Sequence, residues 1–322
     1  SDVYKRQLWY SEHIEITDTK MHGIKALREC RDVVIDNCDI ISPEFGWSVN
    51  GIQMKHSTAE SEYFMMRVTD LNFSDVQFKG KYSFQYIKNA VFDNCVLDTK
   101  DAFWHSENVT VKNSVVKGEY LAWYSDGLTL INCKIIGTQP LCYCKNLTLI
   151  NCEMVDTDLC FERSEVQAIL TSSVDSIKNP LSGWIQVTEV GEIIMGVAEA
   201  TGKVMISDVD AQTEEFQKTV SENKEFVKEF IQNEIPQIQV ASFYDTCFLR
   251  LNFVRMIGNG MEAVSYIKEK TGVYFSYGKQ NGQGGNEFLR INTACSRSVL
   301  ERSLQQLKAG ITAYEKFCVE RC

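Results

Sequence analysis

Basic residues, prolines and histidines are all scarce in this chain. Its 322 residues hold 33 Lys and Arg against 43 Asp and Glu, which gives a formal net charge of −10. No basic stripe interrupts this acidic background, so a nucleic-acid partner is not expected. Four prolines and 19 glycines are too few for a collagen-like or low-complexity chain. No apolar run reaches the length of a membrane span and no secretory signal opens the chain, so we expect a cytoplasmic globular protein without a membrane partner.

Metal sites are not expected either, although the cysteine count is high. The sequence has 12 cysteines but only 4 histidines. Cys142 and Cys144 have CxC rather than zinc-ribbon spacing, and no histidine cluster completes a set of ligands. We interpret the cysteines as small buried apolar side chains in a reducing compartment. A disulfide framework is the alternative.

A repeat of 19 residues runs through the first two thirds of the chain. Its units alternate apolar and polar residues with a period of two, which indicates short strands. A repeat of this length without a helical stretch predicts a parallel β-helix, in which residues one period apart stack about 4.8 Å from one another. The clearest units share an Asn-Cys or Asn-Ser pair, whose Asn is Asn94, Asn113, Asn132 or Asn151.

Two of the repeated columns are interpreted as structural. The Asn column is expected to form an internal ladder whose amides bind turn backbone groups and one another. The cysteines that follow it, Cys95, Cys133 and Cys152, are expected to pack beside that ladder.

A second strand is predicted in each coil, at residues 101–105, 120–124, 139–143 and 158–162. Strand parity assigns one set of side chains to the interior, namely Ala102, Trp104, Leu121, Trp123, Pro140, Cys142, Leu159 and Phe161. It assigns the other set to an outward stripe, namely Asp101, His105, Tyr120, Tyr124, Gln139, Tyr143, Asp158 and Glu162. Such a stripe suits oligosaccharide binding, because aromatic rings stack on pyranose faces while carboxylates and amides bind hydroxyls. The alternative is that the stack only stabilises neighbouring coils.

Catalysis on this stripe has weak candidates in Asp156, Asp158 and Glu162. Glycoside hydrolysis needs two carboxyls about 5–9.5 Å apart. On one strand, the Cα atoms of Asp156 and Asp158 would be roughly 6.6 Å apart, whereas Asp158 and Glu162 would be about 13 Å apart. Arg163 beside Glu162 is a weak candidate for lyase chemistry. The sequence therefore leaves open whether the protein is an enzyme.

Several stretches of the repeat resemble a known family. They are residues 118–125 (GEYLAWYS), 137–144 (GTQPLCYC), 151–162 (NCEMVDTDLCFE) and 177–183 (IKNPLSG). These resemble the pectin-lyase-like right-handed β-helix family of unknown function DUF 3737, over residues 8–200. The resemblance implies a right-handed parallel β-helix and no particular reaction. Residues 1–7 (SDVYKRQ) resemble a translated sequencing-adapter remnant, so the β-helix is expected to be truncated at its N-terminus.

The last third of the chain has a different pattern. Helical periodicity covers residues 213–233 and ends before Pro236, and further helices are predicted at 261–270 and 298–313. Strands are predicted near 238–240, 248–253, 272–276 and 287–292, with a Gly-rich loop at 281–285. After a linker at 201–212, residues 213–322 are therefore expected to form a small α+β domain.

This domain resembles the small domain of fold-type I aminotransferases, with the MalY/PatB-type cystathionine β-lyases as the nearest class. Residues 222–230 (ENKEFVKEF) and 285–300 (GNEFLRINTACSRSVL) carry the resemblance, which implies that Arg290 binds a substrate carboxylate. The large domain of that family is absent, and with it the lysine, the Asp and the phosphate loop that hold pyridoxal phosphate. No cofactor is therefore expected, unless a complete large domain supplies the pyridoxal phosphate site.

Three functional interpretations follow from the sequence. The first is a β-helix that binds or processes carbohydrate through the outward stripe. The second is a fragment of a pyridoxal-phosphate C–S lyase or aminotransferase, inactive without its large domain. The third is a non-catalytic scaffold. Because a lone small domain exposes the face that normally covers the large domain, self-association is also expected.

Overall fold

Short strands separated by turns rich in Asn, Asp and Gly make up the first two thirds of the chain, as the period-two alternation predicts. The computed structural model describes residues 7–207, 209–242, 248–252, 260–271, 276–277, 288–293 and 297–320. The chain divides into two units, residues 1–213 and 214–322.

The first unit is made of strands. In chain order they are β1 (Gln7–Trp9), β2 (Glu12–Thr17), β3 (Lys20–His22), β4 (Lys25–Arg28), β5 (Arg31–Asp36), β6 (Asp39–Ile41), β7 (Glu44–Phe45), β8 (Asn50–Lys55), β9 (Thr58–Ser61), β10 (Tyr63–Phe64), β11 (Thr69–Ser74), β12 (Gln77–Lys81), β13 (Lys88–Asp93), β14 (Val96–Lys100), β15 (Glu107–Lys112), β16 (Val115–Lys117), β17 (Asp126–Ile131), β18 (Lys134–Ile136), β19 (Leu147–Val155), β20 (Glu165–Leu170), β21 (Val174–Lys178), β22 (Ser182–Val187), β23 (Val190–Ile194) and β24 (Lys203–Ile206).

Parallel pairing joins each strand to its equivalent in the next coil. In the sheet that contains β11, β13 and β15, Lys88 lies between Thr69 and Glu107, so that equivalent residues are 19 apart. The sheet that contains β12, β14, β16 and β18 has the same register. The result is a mainly β protein with a parallel β-solenoid of about 10 turns. This confirms the stacked coils predicted from the repeat.

Residues with left-handed backbone conformation turn the chain at the corners of the coils. Asn94, Asn113, Asn132 and Asn151 have φ of 54°, 53°, 52° and 52°, a region that Asn reaches at lower cost than most residues. Three of these four amides donate to the column residue one coil earlier, for example from Asn94 to Asp75 at 2.6 Å. The predicted ladder is therefore present. Its predicted internal position is wrong, because these corner residues point their side chains into solvent.

The cysteines that follow this ladder do lie inside the solenoid. Cys95, Cys133 and Cys152 are all buried in the hydrophobic core. Across the described part of the chain, the free cysteines are Cys30, Cys38, Cys95, Cys133, Cys142, Cys144, Cys152, Cys160 and Cys318, of which only Cys318 is partly exposed. Cys247, Cys295 and Cys322 lie outside the described residues. The prediction of buried thiols is thus confirmed for eight of the described cysteines.

Phenylalanine rings fill the interior of the middle coils. Phe84 is fully buried, and its ring stacks on that of Phe103 with a centroid distance of 5.3 Å. Four more rings lie with their centroids within 6 Å of the Phe84 ring, namely Phe64, Phe73, Phe78 and Phe92. A large part of the solenoid core therefore depends on this one side chain.

The predicted second strand is a turn segment in the structure. Asp101, Phe103 and His105 have φ of 55°, 61° and 53°, and the same alternation recurs in the neighbouring coils. Residues in this conformation do not send their side chains to two alternating faces, as strand residues do. Asp101, Ala102 and Phe103 are consequently all buried, whereas Trp104, predicted to point inward, is only half-buried.

The last coils extend the solenoid into the segment predicted as a linker. Strand β24 pairs in parallel with β22, with Lys203 opposite Trp184. The first helix of the chain begins at Val209, also within residues 201–212.

The second unit has the α+β composition predicted for residues 213–322. Its helices are α1 (Val209–Glu234), α2 (Gly260–Thr271) and α3 (Arg297–Glu320), and its strands are β25 (Gln239–Ser242), β26 (Phe248–Asn252), β27 (Ser276–Tyr277) and β28 (Phe288–Asn292). The strands form an antiparallel sheet in the order β25, β26, β28, β27. Residues from all three helices join Leu249, Leu251 and Ile291 of the sheet in one hydrophobic core. The predicted Gly-rich loop at 281–285 lies outside the described residues.

The described helices contain no segment that is both long enough and apolar enough to cross a membrane.

Truncation of Phe84 tests the central place of its ring in the core. We expect Phe84→Ala to lower the free energy of unfolding by about 3–5 kcal/mol, because it removes a buried ring and leaves a cavity. Val96→Ala, at a residue that is 46% exposed, is the control and should change it by less than about 0.5 kcal/mol. Urea unfolding followed by circular dichroism measures both. Equal effects of the two substitutions would contradict this account of the core.

Chemical labelling tests the state of the buried thiols. Burial raises the pKa of Cys95 and of Cys144 to about 11 and that of Cys142 to about 12. Because only the thiolate reacts, these thiols should remain unlabelled by N-ethylmaleimide in the native protein at pH 8 and become labelled after unfolding. Cys318 should react in the native state. Peptide mass spectrometry gives the labelling of each residue, and rapid native labelling of Cys142 would show that its site opens to solvent.

Candidate functional site

A column of stacked rings lies along the turn segments of the solenoid. It consists of Tyr86, His105, Tyr124 and Tyr143, one from each of four successive coils, and is called the ring column below. Adjacent ring centroids are 5.0, 5.0 and 4.8 Å apart, and their planes are within 8°, 7° and 12° of parallel. All four residues have positive φ, between 53° and 62°. The repeated backbone conformation therefore points each ring in the same direction.

The ring column presents edges rather than faces to solvent. Within the column each ring covers a face of its neighbour, and the Arg67 guanidinium lies 5.7 Å from the Tyr86 centroid, at the start of the column. Tyr86 and Tyr124 are nevertheless 43% and 47% exposed. The expectation that these rings stack on pyranose faces is therefore wrong for the inner rings, because coil-to-coil stacking already occupies those faces. Their edges and phenolic hydroxyls remain available.

Two indole rings lie beside the column. Trp104 and Trp123 are stacked with a centroid distance of 5.5 Å and planes 3° apart. Their Nε1 atoms donate to the backbone oxygens of Tyr120 and Gln139, at 2.6 and 2.8 Å. The indole of Trp123 also makes an edge contact with Tyr143, at 5.4 Å. These half-buried indoles extend the aromatic surface of the column on one side.

The remaining residues of the predicted stripe divide into two groups. Tyr120 and Gln139 are half-buried and lie on the same turn segments, so they border the aromatic surface. Asp101 is only 6% exposed, and its outward assignment is wrong. Burial raises the pKa of the Asp101 carboxyl, while the neighbouring Lys100 lowers it. Asp101 therefore serves the interior of its coil rather than the surface.

A one-residue shift in register separates Asp158 and Glu162 from their predicted positions. In the earlier coils the backbone N of Tyr124 bonds to Cys142 O, 18 residues ahead, whereas the N of Tyr143 bonds to Glu162 O, 19 residues ahead. The residue that follows Tyr143 in the column is consequently Arg163, which has φ of 52°. The predicted alignment of residues 158–162 with 139–143 is therefore wrong by one position.

The three candidate catalytic carboxyls have different surroundings. Asp156 is exposed at a left-handed turn, with φ of 52°. Asp158 accepts a short hydrogen bond from the Thr138 hydroxyl. Glu162 forms an ion pair with Lys178 at 3.1 Å, and both side chains are largely buried. Asp158 and Glu162 are thus already bound to other side chains, which does not favour a pair of free carboxyls on this face.

Tyr143 lies at the C-terminal end of the column, near the pair of Glu162 and Lys178. Burial raises the pKa of the Tyr143 phenol, and the negative charge of Glu162 raises it further. The phenol therefore remains protonated at neutral pH. It can donate a hydrogen bond but cannot act as a base.

Metal and cofactor sites find little support in the described residues. No group of three or more His, Cys, Asp or Glu side chains in the described part of the chain could hold a metal ion. Arg290, predicted to bind a carboxylate, lies on β28 with its Cα opposite Arg250, but its side chain is outside the described part.

Sequence analysis missed two members of this surface. Tyr86 lies one period before His105, so extending the same spacing by one coil would have found it. Arg67 lies one further period back. The stacking of their side chains had no separate signal in the sequence, because the turn conformation that points them outward was not recognised.

Comparisons with known proteins bear on the two units differently. No curated protein matches the chain. Among solved structures, a PLP-bound "putative aminotransferase" from Clostridium difficile 630 is 29% identical over 32% of this chain, with a TM-score of 0.31. This chain covers 26% of that protein. A family model described as a protein of unknown function (DUF3737) matches residues 2–207. That match includes residues 2–7, interpreted above as an adapter remnant, and it spans the whole described solenoid. The chain therefore belongs to the DUF3737 family.

Proposed function

We propose that the solenoid is a non-catalytic carbohydrate-binding module that holds an extended oligosaccharide along the ring column. The observation that carries the proposal is the regular row of exposed ring edges, spaced 5.0, 5.0 and 4.8 Å apart. That spacing is close to the length of one pyranose unit in an extended chain. A chain laid along the solenoid axis would therefore meet an equivalent group at every unit.

Hydrogen bonding is the main interaction that this surface offers to a sugar chain. The column provides three phenols and an imidazole, and a phenol both donates and accepts. Tyr120 and Gln139 border the column and add a phenol and an amide. The half-buried indoles of Trp104 and Trp123 provide apolar surface next to these polar groups. Sugar rings, with apolar faces and hydroxyl edges, match that combination.

The surroundings of the carboxyls support binding rather than hydrolysis. A glycosidase needs one carboxyl held protonated and a second held ionised on opposite sides of the bond. Glu162 is paired with Lys178, and Asp158 is bound to Thr138. Neither arrangement supplies a free acid next to a free base.

The finer structural expectations belong to the same proposal. A right-handed winding fits the strong preference for right-handed crossovers between parallel strands. The likeness of residues 213–322 to an aminotransferase small domain, the self-association of that domain and a cytoplasmic location remain predictions. A scaffold without a small-molecule ligand is the alternative if no sugar binds.

Affinity electrophoresis tests the proposal on the full chain. Gels containing xylan, β-1,3-glucan, galactan, hydroxyethyl cellulose or polygalacturonate should retard the protein in at least one case. Tyr124→Ala should reduce this retardation about tenfold or more, since it removes a hydroxyl and breaks both stacking contacts. Tyr124→Phe should retain the stack and lose only the hydroxyl, for a loss of about threefold to tenfold.

A matched control separates binding from folding. Tyr10→Ala removes a tyrosine that is 69% exposed and lies four coils before Tyr86, and it should leave retardation unchanged. We expect Tyr124→Ala to lower the free energy of unfolding by about 1–3 kcal/mol for two lost stacking contacts. Absence of retardation by all five polysaccharides would sink the proposal and leave the scaffold interpretation.

A further inference from the structure

The ring column has a defined length, because both of its ends are occupied by arginines. Its members repeat at intervals of 19 residues from Tyr86 to Tyr143. The residue one coil before Tyr86 is Arg67, which also has positive φ, 57°. The residue one coil after Tyr143 is Arg163. Four rings therefore lie between two guanidinium groups.

The C-terminal end of the column results from a shift that is confined to the turn segment. On the strand before it, Val155 lies opposite Ile136, and on the strand after it, Val166 lies opposite Leu147. Both pairs are 19 residues apart. Between them, Gln139 N bonds to Asp158 O, one residue later than in the earlier coils. The turn thus gains one residue near 156–158 and loses one before Val166, while the sheets keep their register.

This shift decides which side chain follows Tyr143. Under an unshifted register the position would belong to Glu162, but the shift assigns it to Arg163 and directs Glu162 to Lys178. In the described part of the chain neither Arg67 nor Arg163 forms an ion pair, although most solenoid lysines pair with a carboxylate of an adjacent coil. Both guanidiniums are exposed and keep their donors available.

We propose that this geometry sets the length of the ligand: the site binds about four consecutive sugar units, one for each ring, with Arg67 and Arg163 bonding oxygen atoms of the flanking units. The proposal rests on the proposed function of the same surface. The ring centroids span roughly 15 Å from first to last at the usual spacing of stacked strands. Additional units beyond the arginines meet no further ring. Affinity should therefore rise with chain length up to about four units and then level off.

Calorimetric titration of the full chain with a length series tests this inference. The probes are xylo-, cello- and galacturono-oligosaccharides of two to eight units. We expect Kd to fall with each unit up to about four and to change by less than about twofold from five to eight units. Arg163→Tyr adds a ring at a left-handed position that tyrosine already occupies in three other coils of the column. It should extend the rise to five units, so that the five-unit chain binds about fivefold tighter than the four-unit chain.

A second variant and a control complete the design. Tyr86→Ala shortens the column from its other end and should move the break to about three units, which gives a test even if Arg163→Tyr fails to fold. Lys55→Tyr places a new aromatic ring at an exposed position away from the column and should leave the length dependence unchanged. Binding that keeps strengthening beyond six units, or a break that stays at four in both column variants, would overturn the inference and leave the proposed function standing. Failure of every oligosaccharide to bind would instead reject the proposed function itself.

Discussion

Parallel hydrogen bonding between coils is the constraint on which the rest of the solenoid depends. It places every residue about 4.8 Å from its equivalent one coil away, so each position interacts mainly with copies of itself. Charges must then alternate along a column, as Lys88 does with Glu107 and Lys134 with Glu153. Interior positions must hold side chains small or flat enough to stack, which explains the buried cysteines and the phenylalanine rings. The composition of each column follows from this one distance.

The same constraint explains why the exposed aromatic residues are stacked. Parallel rings separated by one coil spacing are at a favourable distance for contact, and each pair contributes about 0.5–1.5 kcal/mol. The column therefore stabilises the solenoid whether or not a ligand binds. Stacking also limits what a ligand can use, because faces engaged between coils are closed to a sugar ring. Structural and binding roles share the same side chains but use different parts of them.

Features with a local chemical cause could be predicted from the sequence. The corner ladder followed from Asn94 and its equivalents, since Asn both tolerates left-handed backbone and carries an amide that can bond to its neighbour. The helices of the second unit followed from apolar periodicity. The turn segments could not be predicted, because Phe103, Ala122 and Leu141 adopt positive φ without being Gly, Asn or Asp. Their conformation is imposed by coil closure and core packing rather than by residue type, and parity arguments fail where it occurs.

The register shift shows how a solenoid can change its surface without disturbing its core. A shift that ran through both sheets would move apolar side chains to the wrong face of each strand, at a cost of several buried residues. A shift that opens after Val155 and closes before Val166 leaves both sheets paired as before. The core tolerates it because Phe161 fills the interior position equivalent to Leu141, with φ of 64° and 63°. Only the exposed chemistry changes, from a column of rings to a cation. Turn segments of this kind can therefore vary in sequence and function while the coil spacing that supports them stays fixed.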